Sequence, residues 1–298
     1  MSITTSLATV ATAFLQRPDL AASTRRSYES TLLPLLQEYG RSPIEILTRQ
    51  ALQDYLNNLT EISYTTHHRH QAIIQALFNF AVEQGYLKSN PIAQLKRRKP
   101  DQSKGEHTTD AIIRYLTPEQ LMALYRVVAS DLRMNALVHL LHRTGARISE
   151  VLGLDLTHLN QEQRKFQVLG KGNKQRWCFY SEDAAHALEC YLRYDRHAGC
   201  PALFTARQPI ALTVSRLSYR TVHQDWTDLI AQKPALEGIR LHDLRHTFAT
   251  ERVGLMGIEE LRALMGHQNI QTTLRYQKVT SQRAELVAKK AFELLSQT

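Results

Sequence analysis

The chain has 298 residues, 43% of them hydrophobic, which suffices for one large domain or two ordinary ones and excludes wholesale disorder. Lysine and arginine total 37 against 28 aspartates and glutamates, and the resulting net charge of +9 raises the prospect of a nucleic-acid partner. Cys178, Cys190 and Cys200 form no CxxC pair and fit a reducing cytosol; no secretory leader is expected, and no stretch approaches the roughly 18 apolar residues of a membrane helix.

The first hundred residues read as helices. Leu7, Val10, Ala11, Phe14 and Leu15 share one helical face, and Tyr28, Leu32, Leu35, Leu36 and Tyr39 make a second stripe closed by Gly40. Thr48 is placed to cap a third helix carrying Leu52, Tyr55, Leu56 and Leu59. Ile73, Ala76, Leu77, Phe80 and Ala81 mark a fourth, with Gly85 as its stop. The expectation is a helical bundle over residues 1–95. Periodicity then disappears. Residues 96–112 read as a basic interdomain linker in which Lys96, Arg97, Arg98 and Lys99 either lie along a phosphate backbone or are simply solvated.

A second domain, 113–298, opens at Thr117-Pro118-Glu119-Gln120, a capping box with proline at the first helical position. Helices are predicted over about 132–143 and 147–153, and a small antiparallel sheet over 155–159, 165–169 and 175–180. Gly170 to Asn173 supplies the tight turn of that sheet. Helical patterns run from about 182 past 290. The tail, 281–298, carries Ala284, Val287, Ala288, Ala291, Leu294 and Leu295 on one face, suited to docking on a neighbour or on its own domain. The fold class is mainly α with one small sheet.

The chemistry-bearing residues fall in a fixed order: Arg147 in Thr144-Gly145-Ala146-Arg147-Ile148-Ser149-Glu150, Lys171 between two glycines, His242 and Arg245 in His242-Asp243-Leu244-Arg245-His246, His267 after Gly266, and Tyr276. Arginine suits the non-bridging oxygens of a phosphodiester because its planar fork binds two of them and stays charged. A phenol is a poor nucleophile until nearby cations favour its anion. A zinc-hydrolase reading of His242 and His246, with His267 as third ligand, lacks the glutamate after the first histidine, sets Arg245 beside the metal and leaves Tyr276 unexplained.

In these strings the chain resembles the tyrosine recombinase (phage-integrase) family, most densely from Leu116 to Val279. Being short, it is similar to the simple two-domain members such as the Xer and Cre recombinases. The resemblance implies an N-terminal SAM-like core-DNA-binding bundle and an α+β catalytic domain. It implies that Tyr276 attacks DNA, that Arg147 and Arg245 hold the phosphate, and that His242 assists proton transfer while His267 donates to a non-bridging oxygen. Lys171 is the implied general acid, with Lys174 and Arg176 as nearby substitutes and candidate DNA contacts. Glu150 is either the acidic buttress of the site or an ordinary helix carboxylate, and His246 is expected to be structural. Also implied are a 3′-phosphotyrosine, a Holliday junction, four protomers on two DNA sites, and no metal, ATP or other cofactor. The implied location is the cytoplasm, with the nucleoid. Resolution, integration or excision of mobile or circular DNA all fit, with accessory proteins or a second recombinase as open possibilities. The rival is a nicking-closing enzyme of the type IB topoisomerase kind.

Overall fold

The computed structural model describes residues 5–106, 113–170, 175–207, 213–231, 233–277, 289 and 292. The chain divides into two compact units, Met1–Ala111 and Ile112–Thr298.

The first unit is a bundle of α1 (Leu7–Leu15), α2 (Ala22–Tyr39), α3 (Arg49–Asn57) and α4 (Tyr64–Glu83). The hydroxyls of Ser6, Thr48 and Ser63 accept from backbone amides at the starts of α1, α3 and α4, satisfying donors that have no partner inside a helix. The apolar stripes meet in one core, with Phe14, Leu35, Leu52, Ile74, Leu77 and Phe78 fully buried. Phe14 stacks on Tyr28 at 5.6 Å.

The run expected to be a solvated linker is, in its first part, fastened to α4. Glu106 accepts from the Tyr64 amide at 2.8 Å, the Asp101 amide at 2.9 Å and the Arg98 guanidinium at 2.7 Å. Arg98 also lies over the Tyr64 ring, so it serves this turn instead of standing free for phosphate. Lys96, Arg97 and Lys99 remain exposed.

The second unit contains α5 (Pro118–Val128), α6 (Leu132–Thr144), α7 (Ile148–Leu152), α8 (Glu182–Tyr194), α9 (Tyr219–Ile230), α10 (Leu241–Arg252), α11 (Ile258–Met265) and α12 (Ile270–Leu274). Thr117 and Gln120 form the expected reciprocal cap on α5. An antiparallel sheet of order β1-β2-β3 lies between α7 and α8 in the chain: β1 (Leu159–Asn160), β2 (Lys165–Leu169) and β3 (Gln175–Phe179). The first strand is shorter than predicted, because residues 156–158 make a 3-10 turn in which the His158 ring accepts from the Asp155 amide.

In β2, Phe166 and Val168 face the core; in β3, Cys178 does, opposite Phe166. The outer face carries Trp177 and Phe179, with the Lys165 ammonium 4.6 Å from the Trp177 ring centre. The helical continuity expected after residue 182 breaks at Tyr194; residues up to Ser218 are irregular where described, with an antiparallel bridge between Thr205 and Arg216. α6 is central and largely buried, and Trp226 of α9 donates its indole N–H to the Ile239 carbonyl at 3.0 Å. Among the described residues no helix is long and apolar enough to cross a membrane.

Candidate active site

The site begins where α6 ends. Gly145 takes the left-handed conformation, φ 62°, that closes the helix, and a Cβ there would lie 2.4 Å from the Phe248 ring. Both facts demand glycine, and together they bring the end of α6 against α10. Two residues later Arg147 caps α7. Its amide donates to Glu150 at 2.7 Å and its guanidinium to the other oxygen of the same carboxylate at 2.9 Å. The remaining arm of the fork reaches the Gly266 carbonyl at 3.5 Å.

Glu150 is shared. Arg176 of β3 binds both of its oxygens, at 2.9 and 2.7 Å, and donates to the Leu264 carbonyl at 3.0 Å. Burial opposes ionisation of Glu150, but the bonds from Arg176 and Arg147 win and hold its pKa at about 2. Arg176 was expected as a DNA contact and is instead turned inward. β-strand alternation gives the reason: it lies on the same side of β3 as buried Cys178, two residues on. Of the sequence-derived candidates, Lys171 and Lys174 lie outside the described residues. Gly170, just before them, lines an open cleft of about 350 Å³ with Arg176, Glu259, Arg262 and His267.

α10 supplies the next group. Asp243 accepts from the Arg240 amide at 2.9 Å and fixes the start of the helix. Arg245 is buried, 3% exposed, and donates to the carbonyls of Gly145 and Met265. Burial pushes its pKa down to about 10, with the Arg147 charge adding to the effect, so it is still a cation at neutral pH. His242 is exposed at the surface. Its ring meets His246 edge-on, with centres 4.7 Å apart.

Tyr276 follows α12 and is 3% exposed, among Ile113, Phe248, Ala249, Leu261 and Met265. Its hydroxyl meets the Nδ1 of His246 at 2.9 Å. His267 stacks parallel to the Tyr276 ring at 6.3 Å, and its Nδ1 bonds the Thr273 hydroxyl at 2.9 Å. Burial raises the Tyr276 pKa against the opposing pull of Arg245, Arg275 and Arg147. Burial first, and then neighbouring positive charge, depresses His246 to about 4 and His267 to about 3. At neutral pH both rings are uncharged and the phenol keeps its proton.

The structure thus brings Arg147, Glu150, Arg245, His267 and Tyr276 together and adds Arg176, expected as a DNA contact or a substitute for Lys171, and His246, expected to be structural. Arg147 and Arg176 share the Glu150 carboxylate while Arg245 bonds only carbonyls, so three guanidiniums stand against one carboxylate and two positive charges are left uncompensated. Such a cluster is built to receive an anion of two negative charges or fewer, and the paired forks of Arg147 and Arg245 suit phosphate oxygens. Among the described residues no three His, Cys, Asp or Glu side chains converge as metal ligands.

The chain is similar to known proteins over most of its length. Residues 114–283 match the phage integrase family, and residues 7–98 the phage integrase central domain. Tyrosine recombinase XerC of Mycobacterium tuberculosis is 31% identical over 283 residues, covering 90% of this chain and 92% of that protein. XerC of Staphylococcus haemolyticus is 26% identical over 280 residues, covering 90% of each. The integrase of transposon Tn1549, solved with transposon right end DNA, superposes with a TM-score of 0.73 over 95% of this chain and 100% of that one, at 18% identity. A lambda integrase dimer bound to a core site gives 0.71 at 15% identity, covering 93% and 97%. The two superpositions speak for the fold. The chain belongs to the phage integrase family, and its enzymatic class is that of the site-specific tyrosine recombinases.

Proposed function

We propose that this recombinase cuts and rejoins duplex DNA through a 3′-phosphotyrosine on Tyr276. The observation that carries the reading is the surplus of two positive charges at Arg147, Arg176 and Arg245 beside a buried phenol. Arg147 and Arg245 exchange their carbonyl partners for the non-bridging oxygens of the scissile phosphate. Glu150 and Arg176 position Arg147. His267 donates to a non-bridging oxygen, and His242, exposed beside the cluster, assists proton transfer. Lys171 protonates the 5′-oxygen as it leaves. Charge stabilisation of this kind requires neither metal nor ATP, since the bond energy is kept in the phosphotyrosine. The DNA-bound neighbours described above support duplex DNA as the partner. Lys96, Arg97, Lys99 and Lys174 are the proposed phosphate contacts outside the cluster.

To test this, Tyr276→Phe is compared with the unaltered chain on nicked duplexes carrying a site selected from genomic fragments. DNA binding is retained, and the protein–DNA adduct that survives denaturant is lost. An adduct formed by the phenylalanine variant removes Tyr276 from the role. Lys171→Ala blocks cleavage of ordinary DNA far more than cleavage of a duplex with sulfur at the 5′-bridging position, since a thiolate leaves without a proton. Equal defects on the two substrates place the acid elsewhere, and Lys174→Ala is then the next variant.

Strand exchange by four protomers through a Holliday junction extends the same chemistry: the 5′-hydroxyl of a partner strand attacks the phosphotyrosine. The tail 281–298 is proposed to couple the protomers. Deleting it leaves single-site binding largely intact and impairs synapsis of two sites in native gels. A truncated chain that recombines at the full rate returns the tail to its own domain. One that relaxes supercoils without exchanging partners favours the nicking-closing alternative.

A further inference from the structure

The ring nitrogen that meets the Tyr276 hydroxyl belongs to His246, not to His242, which lies exposed one turn earlier on α10. His246 is reached across 30 residues of sequence, at 2.9 Å, in a pocket whose other walls include Phe248, Ala249 and Met265. The groups facing its ring are His242, Asp243, Arg240 and Arg245 on or capping its own helix, and Tyr276 and His267 from the segment after α11. Burial lowers the basicity of this ring most, and the neighbouring positive charge adds to it, so the ring is neutral at physiological pH. A protonated phenol beside a neutral imidazole donates its O–H, which leaves Nδ1 as the acceptor and the ring proton on Nε2.

We infer that His246 is the catalytic base for the nucleophile, taking the Tyr276 hydroxyl proton on Nδ1 as the phenol oxygen attacks phosphorus. This rests on the reading of Tyr276 as the nucleophile. As the O–P bond forms, the O–H electron pair stays on the phenol oxygen and the proton passes to Nδ1. The P–O5′ bond breaks with its pair on the departing oxygen, which takes a separate proton from the general acid. In the reverse step the imidazolium returns its proton to the phenol oxygen as the 5′-hydroxyl reclaims the phosphate. The surplus positive charge that discourages an imidazolium in the free protein is offset once a phosphate anion is seated between Arg147 and Arg245. DNA thereby raises the basicity of His246 at the moment it is needed. His242, exposed one turn earlier on α10, keeps its proposed part in proton transfer on the exposed side of the cluster.

The test uses the full chain with His246→Asn and His246→Ala on a nicked duplex that traps the cleaved state. DNA affinity and thermal melting are followed alongside. Asparagine keeps a polar atom near Nδ1 but takes no proton. Both variants are expected to bind DNA as before and to form adduct roughly 100-fold more slowly or worse. Their rates are expected to climb about tenfold per pH unit above neutrality as phenolate forms without a base. Replacing Tyr276 with a fluorinated, more acidic tyrosine then restores much of the asparagine variant's rate and changes the unaltered chain little. If His246→Asn cleaves within a few-fold of the unaltered chain across that pH range, His246 only holds the ring and the proposal fails. An adduct formed by Tyr276→Phe sinks the underlying nucleophile assignment instead, so the two failures are read separately. Should His246→Ala fail to fold, the asparagine variant and the fluorotyrosine comparison still decide.

Discussion

Two buried arginines of the second unit have nearly the same exposure and opposite electrostatic circumstances. Arg133 on α6, 4% exposed, donates to Asp225 at 2.7 Å and to the Thr205 carbonyl at 3.2 Å. Arg245 on α10, 3% exposed, is hydrogen-bonded among the described residues only by carbonyl oxygens, those of Gly145 and Met265. The first charge is neutralised where it is buried. The second is buried with its charge outstanding and with two more arginines nearby. A side chain that serves stability alone is paired because an unpaired buried ion is costly. One that is held unpaired is kept for something that arrives later, and the fold bears that cost in advance.

The largest effect that sharpens this contrast is expected from Arg245→Met. Adduct formation falls by about 100- to 1,000-fold, the scale of losing one preorganised donor, while melting moves by less than about 1 kcal/mol because the lost carbonyl bonds are offset by relief of charge repulsion. A melting loss as large as the catalytic loss would make Arg245 a structural residue like Arg133. Next comes Glu150→Gln, which leaves three guanidiniums with no carboxylate. Glu150 has its pKa depressed from 4.5 to about 2, so its contribution is fully present above the unfolded value and lost as pH falls through the folded one. That contribution is about 3 kcal/mol, disappearing between about pH 5 and 2. Acid denaturation curves of the glutamine variant are expected to be flatter in that window, and an unchanged acid limb would dissociate Glu150 from the cluster.

Gly145→Ala is a milder break, costing about 2 kcal/mol from the positive φ and the push on Phe248, with a drop in cleavage because the carbonyl holding Arg245 moves with the turn. Calorimetry and adduct assays on the same sample check both parts. The smallest effect is expected from Arg133→Met, a loss of about 1–2 kcal/mol in melting with the cleavage rate per folded molecule unchanged, since Asp225 keeps some solvent and is not stranded. A cleavage defect there would erase the distinction between the two arginines.

What the amino-acid order reveals follows the same division. Arg147, Arg245, His267 and Tyr276 were legible because each sits in a local string, and the helices of the first unit because their stripes repeat at helical spacing. Arg176 was misplaced although its parity with Cys178 already turned it inward; the neighbouring lysines and glycines suggested a surface turn instead. No local pattern in the amino-acid order encodes the meeting of His246 with Tyr276, which lies 30 residues away. The irregular described residues between Tyr194 and Ser218 look helical in sequence because short apolar groups such as Ala202, Leu203 and Phe204 fill the core without a helical period. Glu106 folding the basic run onto α4 was likewise hidden, since one carboxylate closing three donors leaves no composition trace.

The sheet has a consequence for observing the molecule at work. The chain holds two tryptophans, and they occupy opposite surroundings: Trp226 is 3% exposed with its indole N–H bonded, while Trp177 is 42% exposed beneath the Lys165 ammonium on the outer face of β3. Their emission therefore separates by colour without any label. The blue component from Trp226 reports whether the second unit is intact. The red component from Trp177, one residue beyond Arg176, reports what happens at the strand that braces the cluster. A single cuvette thus distinguishes a variant that has lost its fold from one that has lost only its hold on DNA.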